Sequence, residues 1–561
     1  MASITLHQIK THMILRAVVS SLLLILVFSG YSQKLKKADK AIVAGLQSHI
    51  KYLADDKLEG RRAGTKGEQL AAEYISNQWK AIGLSPKGED GWWQSFEIND
   101  GKQINPATFL FVNGAELKLD LEFFPLNSSA NKATEAAVSI ALAEKNVPWF
   151  FDLKDLLEEN KNNPHFDLAD AIKNKANTSA QKGATAFLVY NSSSIPDNLK
   201  FNPKDRSEPA SIPVFYITPA AKKKYFNDVE ATLDIKLRSD IGDKKRTGKN
   251  VVGYIDNGAP YTVVLGAHFD HLGYGEDGNS MLRNGEKLIH NGADDNASGT
   301  AALIEIARSL KLSKNKTANY LFLAFSAEEL GLNGSKYFTE HPTIDLSKVA
   351  YMINMDMVGR LNDSTKVLTV GGYGTSPWWG SLFADKGKNK YFTLKFDSSG
   401  TGPSDHTSFY RKDIPVLFFF TGLHTDYHKP SDDYDKINYV GELMIVKYIS
   451  SLVTESNKQG KLAFTKTRET QTTSQQRFSV SMGIMPDYTY AGAGVRADGV
   501  TDGRAAQKAG LKTGDVIVQL GDFNINSMDS YMQALSKFKK GDKTKVKFKR
   551  GNEVMEATVE F

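Results

Sequence analysis

Apolar runs alternate with helix-like patterns from residue 249 onward, and this alternation limits the fold more than any other feature of the sequence. The runs "NVVGYI", "YTVVLGAH", "NYLFLAF", "VAYMINMD" and "KVLTV" are apolar, β-branched or aromatic, whereas "ASGTAALIEIARSL" has the pattern of a helix. A closing amphipathic helix is predicted over residues 440–455. Alternation of this kind predicts an α/β fold, with a mixed, mainly parallel sheet and helices on both faces.

Imidazole and carboxylate side chains follow these predicted strands. In open α/β sheets, ligands bind beyond the carboxyl ends of the strands, so residues that come just after a strand are candidates for a site. The candidates are His268, Asp270 and His271 in "HFDH", Asp294 and Asp295 in "GADDNASG", Glu328 and Glu329 in "SAEELG", Asp356 in "NMD", and His424 and His428 in "LHTDYHKPSDD". So many acids at one edge would repel one another unless cations neutralise them, and mixed His and carboxylate ligands suit Zn²⁺.

The adjacent pair Glu328 and Glu329 has a simpler explanation, a charged helix start, where the helix dipole favours carboxylates. A site with two metal ions also accounts for the pair. Such ions lie roughly 3.5–4 Å apart and hold a bridging water, which calls for one unligated carboxylate as base beside the ligands. The number of strand ends that carry imidazole or carboxylate favours the two-metal site.

Five segments resemble, in the same order, the motifs of the M28 family of zinc aminopeptidases. These segments are "HFDHLG", "GADDNASG", "SAEELG", "NMDM" and "YHKPSD", and they span most of residues 249–455. The resemblance implies two zinc ions per chain, with Asp295 bridging them, Glu328 as general base and Asp270 orienting the imidazole of His268. The ligands that it implies are His268, Asp295, Glu329, Asp356 and His428, with Asp356 and His428 completing the half-site opposite His268 and Glu329.

Two positions within the resemblance have competing interpretations. Asp295 directly precedes the Asn-x-Ser-Gly segment, as the family's bridging residue does, which leaves Asp294 as a solvated neighbour. The segment "SDHTSF" resembles a family segment near the substrate pocket, so His406 is a candidate pocket residue, with a structural role as the alternative.

The N-terminus has the pattern of a secretory signal over residues 1–32. Lys10 and Arg16 precede the apolar run "AVVSSLLLILVF", and Gly30 and Ser32 are placed for cleavage after Ser32. The apolar run is short for a membrane span, with an uncleaved anchor as the alternative. We therefore expect an exported protein, periplasmic or extracellular, with no membrane span after cleavage. The chain has no cysteine, which excludes disulfides and thiolate chemistry.

Two further modules flank the predicted peptidase domain, which comprises residues 33–104 and 246–457. Residues 105–245 form a mostly β insert that resembles a protease-associated domain in its length and short strands. Residues 458–477 are polar and are predicted to be a linker. Residues 478–561 resemble a small β-rich PDZ domain, in which Met482, Gly483 and Ile484 would present backbone amides to a peptide carboxylate.

The predicted function is that of an exported two-zinc exopeptidase that removes N-terminal residues from peptides with a free N-terminus. A glutaminyl cyclase with one metal, or a carboxypeptidase of the same superfamily, is the alternative enzyme, and a non-catalytic receptor is the alternative outside enzymes. The PDZ-like block would bind a peptide or protein C-terminus. A formal net charge of +6 over 561 residues indicates no nucleic-acid partner.

Overall fold

The computed structural model describes residues 35–561 with short gaps, and the predicted signal segment, residues 1–32, lies outside the described residues. The gaps are residues 164–165, 204, 206–207, 229, 283–285, 315, 385–390, 468–479, 487–492, 501–502, 526–527 and 552. Within the described part of the chain, no helix combines the length and the apolar content that crossing a membrane requires.

The chain begins with two amphipathic helices that pack against the main sheet. Leu46, Ile50 and Leu53 recur at helical spacing on the first of them and are fully buried. Gly83 ends the second helix in the left-handed conformation, which glycine adopts without steric cost. The elements of this part are α1 (Lys37–Leu53), α2 (Lys66–Ile82), β1 (Ser85–Pro86) and β2 (Trp93–Ile104).

The insert leaves the main sheet on a long two-stranded ribbon and returns on it. Among its described residues, eight strands form two four-stranded sheets, accompanied by three helices. The strands are β3 (Phe109–Val112), β4 (Ala115–Glu116), β5 (Phe123–Pro125), β6 (Ala133–Ser139), β7 (Trp149–Asp152), β8 (Phe187–Tyr190), β9 (Val214–Ile217) and β10 (Thr232–Arg238). The helices are α3 (Lys154–Asn160), α4 (Leu168–Gln181) and α5 (Pro219–Tyr225).

The peptidase part resumes after the insert, and its described residues form seven strands and five helices. The strands are β11 (Ile241–Ile255), β12 (Thr262–His268), β13 (Asn319–Phe325), β14 (Val349–Met355), β15 (Val367–Gly371), β16 (Thr393–Phe396) and β17 (Val416–Phe420). The helices are α6 (Gly299–Leu312), α7 (Asn333–Glu340), α8 (Pro377–Ala384), α9 (His406–Tyr410) and α10 (Tyr439–Ser456). Strand β11 pairs with β2 in the ribbon that carries the insert.

The main sheet is mixed, as the alternation predicted, and its centre is parallel. Its order is β1-β11-β13-β12-β14-β17-β15-β16, with β2 beside β11. The neighbours β13, β12, β14 and β17 are parallel, so their carboxyl ends meet at one edge. Both faces are covered: Ile353 packs in the core beneath α1, α2, α6 and α10, and Met352 in the core that contains Phe338 of α7 and Phe409 of α9. The sheet thereby brings the carboxyl ends of these strands, where the candidate residues lie, together at one edge.

The C-terminal block has its own hydrophobic core, which includes Ile517, Val546 and Phe548. Its elements are β18 (Ile484–Pro486), β19 (Val495–Val500), α11 (Ala505–Lys508), β20 (Val516–Leu520), β21 (Phe523–Asn524), α12 (Met528–Leu535), β22 (Lys543–Arg550) and β23 (Glu553–Glu560). The strands form one antiparallel sheet.

The first half of the predicted linker packs against the peptidase part, which differs from the expectation of a linker over all of residues 458–477. Leu462 is buried, and the backbone N–H of Thr465 donates to the carbonyl of Thr375. Thr467 N–H donates to the hydroxyl of Tyr410 at 3.0 Å. The polar composition of this stretch concealed these contacts, because hydroxyl and backbone groups make most of them.

Candidate active site

The first cluster of potential ligands lies at the ends of two neighbouring strands. His268 is the last residue of β12, and Asp356 follows β14 directly. The Nε2 of His268 lies 3.3 Å from Asp356 Oδ1 and 3.5 Å from Asp295 Oδ1. One potential ligand atom from each of these three residues lies within 4.8 Å of the others, so they could hold one metal ion.

The second cluster shares Asp295 with the first. His428 Nε2 lies 3.2 Å from Asp295 Oδ2 and 3.3 Å from Glu329 Oε2. Asp295, Glu329 and His271 form a second group whose ligand atoms lie within 4.8 Å of one another. Because Asp295 directs one oxygen toward each cluster, its carboxylate is placed to bridge two ions.

The grouping of these residues differs from the expected one. The resemblance paired Asp356 with His428, whereas the structure sets Asp356 beside His268 and sets His428 beside Glu329. The physical reason is the strand order: β12 and β14 are direct neighbours, and the loop after β17 carries His428 across to Glu329.

Hydrogen bonds to backbone carbonyls orient two of the imidazoles. His428 Nδ1 lies 3.0 Å from the carbonyl of Asn279, and His268 Nδ1 lies 3.2 Å from the carbonyl of Asp270. A carbonyl only accepts, so each Nδ1 carries the proton and each Nε2 directs its lone pair toward the carboxylates. This is the tautomer that suits metal binding through Nε2.

Asp270 lies beside His268, and its carboxylate makes a hydrogen bond to a backbone N–H rather than to the imidazole. Its Oδ1 is 3.6 Å from His268 Nδ1, outside hydrogen-bonding distance, and it accepts the backbone N–H of Glu328 at 3.1 Å. Burial raises the pKa of Asp270. The carboxylate of Asp270 therefore links the end of β12 to the turn that carries Glu328.

The adjacent Glu328 and Glu329 have opposite electrostatic environments. Burial raises the pKa of Glu328 well above its usual range, and the carboxylates of Asp356 and Asp405 add to this rise against the opposing effect of His268. Burial also acts to raise the pKa of Glu329, but His428 and His271 outweigh it, so the pKa lies well below the usual range. His271 Nδ1 is 2.9 Å from Glu329 Oε1. Glu329 is thus held as an anion among imidazoles, whereas the carboxylates of Asp356 and Asp405 lie near Glu328.

Asp294 is not the solvated neighbour that the sequence suggested. It is fully buried, and its Oδ1 accepts the backbone N–H of Gly359 at 2.7 Å and the hydroxyl of Ser298 at 3.0 Å. Its Oδ2 lies 3.2 Å from His424 Nε2. Asp294 therefore holds the loop after β14 against the start of α6, which explains a second carboxylate beside Asp295.

Arg61 and Asp432 support the ligand loops, and sequence reasoning assigned neither of them a role. Asp432 Oδ2 accepts the backbone N–H groups of Asp294 and Asp295, at 3.0 and 3.1 Å. The fully buried Arg61 donates to the carbonyls of Leu53, Phe269, Asn291 and Gly292. The only signal for Asp432 was its place four residues after His428, and no local pattern distinguished Arg61 within "GRRAG".

A cleft opens beside the two clusters. Among its lining residues are His268, Asp295, Glu328, Glu329, Asp356 and His428, so all of the predicted ligands and the predicted base border one space. His406 lines the same cleft, and its ring stacks on Phe418 with centroids 4.6 Å apart. Burial lowers the pKa of His406 to about 3, so this imidazole is neutral at physiological pH.

Comparison with known proteins assigns two domains. A family model of peptidase family M28 matches residues 250–453, and a PDZ domain model matches residues 478–561. The chain carries an M28 peptidase domain and a PDZ domain. This confirms the resemblances drawn from the five motifs and from the C-terminal block, while the likeness of the insert to a protease-associated domain stays a prediction.

Several relatives of the M28 domain bear the names of aminopeptidases. The chain is 28% identical over 279 residues to aminopeptidase YwaD of Bacillus subtilis (strain 168), a match that covers 47% of this chain and about half, 55%, of that protein. It is 29% identical over 405 residues to leucine aminopeptidase 2 of Trichophyton tonsurans, covering 68% of this chain and 73% of the relative. The solved structure of BSAP, a zinc aminopeptidase from Bacillus subtilis, overlaps at a TM-score of 0.42 and 21% identity, over 75% of this chain and 98% of that one.

The predicted peptide-binding loop of the PDZ domain precedes and begins β18. Met482 is fully buried, Gly483 has a positive φ of 76°, and Ile484 is the first residue of the strand. The N–H of Gly483 donates to the hydroxyl of Ser481 at 3.1 Å. A Cβ at Gly483 would lie 2.2 Å from the Arg504 side chain, so glycine is required there for space as well as for conformation.

Proposed function

We propose that the protein is an exported two-zinc aminopeptidase that hydrolyses the first peptide bond of peptides with a free N-terminus. The observation that carries this proposal is the pair of ligand clusters that share Asp295. A shared carboxylate between two sets of His and carboxylate donors is the arrangement that two adjacent divalent ions require. The aminopeptidase names of the relatives support the choice of reaction.

The donor set fits zinc. Imidazole nitrogen and carboxylate oxygen are ordinary zinc ligands, and these donors are buried or half-buried where unneutralised carboxylates would repel one another. His268 and Asp356 would hold one ion, Glu329 and His428 the other, and Asp295 both. The ions would polarise the scissile carbonyl and activate a bound water for attack.

Glu328 would act as the general base. It borders the cleft beside both clusters and belongs to neither of the two ligand groups. Its carboxylate would accept a proton from the attacking water and deliver it to the amine of the departing peptide. Asp270 holds the Glu328 backbone through its N–H, which fixes the base relative to the His268 ligand. Asp270 is thus a positioning residue in this proposal.

The remaining parts of the chain would govern substrate access, the binding of a peptide or protein C-terminus, and export of the protein. The insert adjoins the peptidase sheet through the β2–β11 ribbon and would restrict which substrates enter. The PDZ domain would bind the C-terminal end of a peptide or protein by strand addition. Residues 1–32 would direct export, and N-terminal sequencing of protein secreted from cells should begin just after Ser32.

A panel of matched peptides tests the reaction. One peptide is presented with free ends, with an acetylated N-terminus and with an amidated C-terminus, and products are followed by mass spectrometry with zinc-loaded protein. We expect successive loss of N-terminal residues from the free and amidated peptides and no cleavage of the acetylated one. Cleavage that requires a free C-terminus would instead identify a carboxypeptidase.

Two controls complete the panel. A peptide with N-terminal glutamine that loses ammonia without chain cleavage would identify a cyclase, and elemental analysis should give two zinc ions per chain rather than one. Glu328→Gln serves as the control for contaminating peptidases, because any cleavage that this variant retains at the wild-type rate does not come from the proposed site.

A further inference from the structure

The cleft continues away from the metal-ligand clusters along one face of the sheet. Side chains two residues apart on a strand share a face, and Thr369 and Gly371 of β15 and Phe418 and Phe420 of β17 all line the cleft. In the antiparallel register Thr369 lies beside Phe420 and Gly371 beside Phe418. The cleft floor therefore runs from the carboxyl end of β17, near the ligands, back toward its start.

Asp397 lies at the far end of this floor. Phe396, the last residue of β16, lies beside Val370, which brings Asp397 level with Gly371. Two hydrogen bonds continue the strand pairing past this point: Asp397 N–H donates to the carbonyl of Val370, and Tyr373 N–H donates to the carbonyl of Asp397. The Asp397 side chain also lines the cleft.

The carboxylate of Asp397 has no cationic partner among the described residues. Its Oδ1 accepts the N–H of Ser399 at 3.0 Å, and burial raises its pKa with only this hydrogen bond in opposition. In the described part of the chain, no lysine, arginine or histidine forms an ion pair with it, and burial of an unpaired carboxylate is unfavourable. Asp397 is therefore a half-buried acid with no ion-pair partner among the described residues.

The walls between the ligand clusters and Asp397 are flat and apolar. The His406, Phe418 and Phe420 rings are stacked in sequence, with 4.6 Å between the first two centroids and 6.0 Å between the last two. His406 is neutral, so it does not repel a cation. Gly371 leaves room in the floor, because a Cβ there would lie 3.2 Å from the Phe418 ring. A long, unbranched side chain can follow such a floor, and a cationic end gains from aromatic faces.

We propose that this end of the cleft binds the first side chain of the substrate and that Asp397 selects substrates whose N-terminal residue is lysine or arginine. This inference rests on the proposed aminopeptidase function. The substrate cation would serve as a counter-ion for Asp397, and its alkyl chain would cover the Phe418 and Phe420 rings. The selectivity would differ from that suggested by the name of the fungal leucine aminopeptidase relative.

Matched pairs of substrates separate the effect of side-chain charge from the effect of side-chain length. The kcat/KM values of zinc-loaded protein are measured on the p-nitroanilides of lysine and norleucine, which have side chains of similar length with and without the ammonium, and of arginine and citrulline. We expect the charged member of each pair to be preferred roughly 10- to 100-fold, the range for one charge-assisted contact. In Asp397→Asn, which keeps an acceptor for Ser399, this preference should fall to within about threefold of unity.

The ratio of two substrates on one preparation is independent of the fraction of protein that is folded. Asp397→Lys should reduce the lysine-to-norleucine ratio further than Asp397→Asn, because the new cation repels the substrate. Asp435→Asn is the matched control: it removes a negative charge from an exposed position of the same domain and should keep the wild-type ratio.

The outcomes distinguish this inference from the proposed function. Wild-type protein that hydrolyses norleucine as well as lysine, or an unchanged ratio in Asp397→Asn, overturns the role of Asp397 and leaves the aminopeptidase function intact. An equal loss on both substrates in Asp397→Asn also overturns it, because the residue then serves a step common to all substrates. Protein that hydrolyses none of the p-nitroanilides and none of the free peptides overturns the proposed function, and this inference with it.

Discussion

At one end of the cleft, side chains from several strand ends crowd together, and each carboxylate there has an imidazole or another acid as a neighbour. At the other end, Asp397 has no charged neighbour among the described residues. Both ends remove carboxylates at least partly from water, which is unfavourable unless a cation compensates for it. At the crowded end, which contains the metal-ligand clusters, metal ions bound by the protein would neutralise the carboxylates. At the sparse end, which contains Asp397, a cation of the substrate would do so.

The crowded end gives the largest expected effect. Glu328→Gln preserves size and hydrogen bonding but cannot accept a proton, so we expect turnover to fall by roughly 10²–10⁴-fold with metal content unchanged. Glu329→Gln replaces an anionic ligand with a neutral one and should lose metal from the cluster that contains His428. Paired elemental analysis and turnover measurements check both variants.

These two variants also test which glutamate has which role. Loss of metal in Glu328→Gln together with full metal content in an inactive Glu329→Gln would reverse the assignment. Wild-type metal content and activity in both variants would mean that the pair is only a charged turn after β13.

The next largest effect is expected from Asp432, which supports the ligand loop at the crowded end. Asp432→Ala removes the acceptor of the Asp294 and Asp295 N–H groups, so the bridging carboxylate loses its fixed position. We expect zinc affinity to fall about 10- to 100-fold, as is typical when a group that orients a ligand is lost. Competition with a fluorescent zinc chelator measures it. Asp433→Ala is the matched control, because this neighbouring carboxylate accepts only from Tyr434 N–H among the described contacts; equal losses in both variants would contradict the specific role of Asp432.

A substitution that adds one methyl group to the cleft floor tests whether the first side chain of the substrate binds at the sparse end. Gly371→Ala narrows the passage beside Phe418, so kcat/KM for lysyl and norleucyl substrates should fall roughly 10-fold, the scale of one methylene in an apolar pocket. An alanyl substrate does not reach this point and should change much less. An equal decrease on all three substrates would place the first side chain elsewhere in the cleft.

The smallest effect is expected outside the cleft. A chain that ends near residue 470 keeps Thr467, which packs on Tyr410, and removes the PDZ domain with its separate core. Turnover of a dipeptide analogue should change by less than about threefold, because a domain with its own core folds independently. If the shortened protein is folded, as judged by circular dichroism, and inactive, the PDZ domain completes the site.

Local pattern was sufficient to predict the mixed sheet and the strand ends. Runs such as "YTVVLGAH" and "NYLFLAF" identify buried parallel strands without any knowledge of their neighbours, and the residues that follow them had to lie near one edge. Arg61 could not be found in this way, because it acts through backbone carbonyls that lie far away in the sequence. Asp397 was also missed, because it comes after an edge strand with no second ligand-type residue beside it.

The chemical groups of the metal-ligand clusters could be predicted from the amino-acid sequence, since apolar strands that end in His, Asp or Glu place those groups at a common edge. Their grouping into two clusters depends on the tertiary structure. His268 meets Asp356 because β12 pairs with β14, and His428 meets Glu329 because a loop crosses the edge of the sheet. Strand order and loop paths depend on long-range packing, which the local periodicity of a strand does not encode. For the same reason, the sequence could not reveal that Asp397 shares a cleft with the metal-ligand clusters.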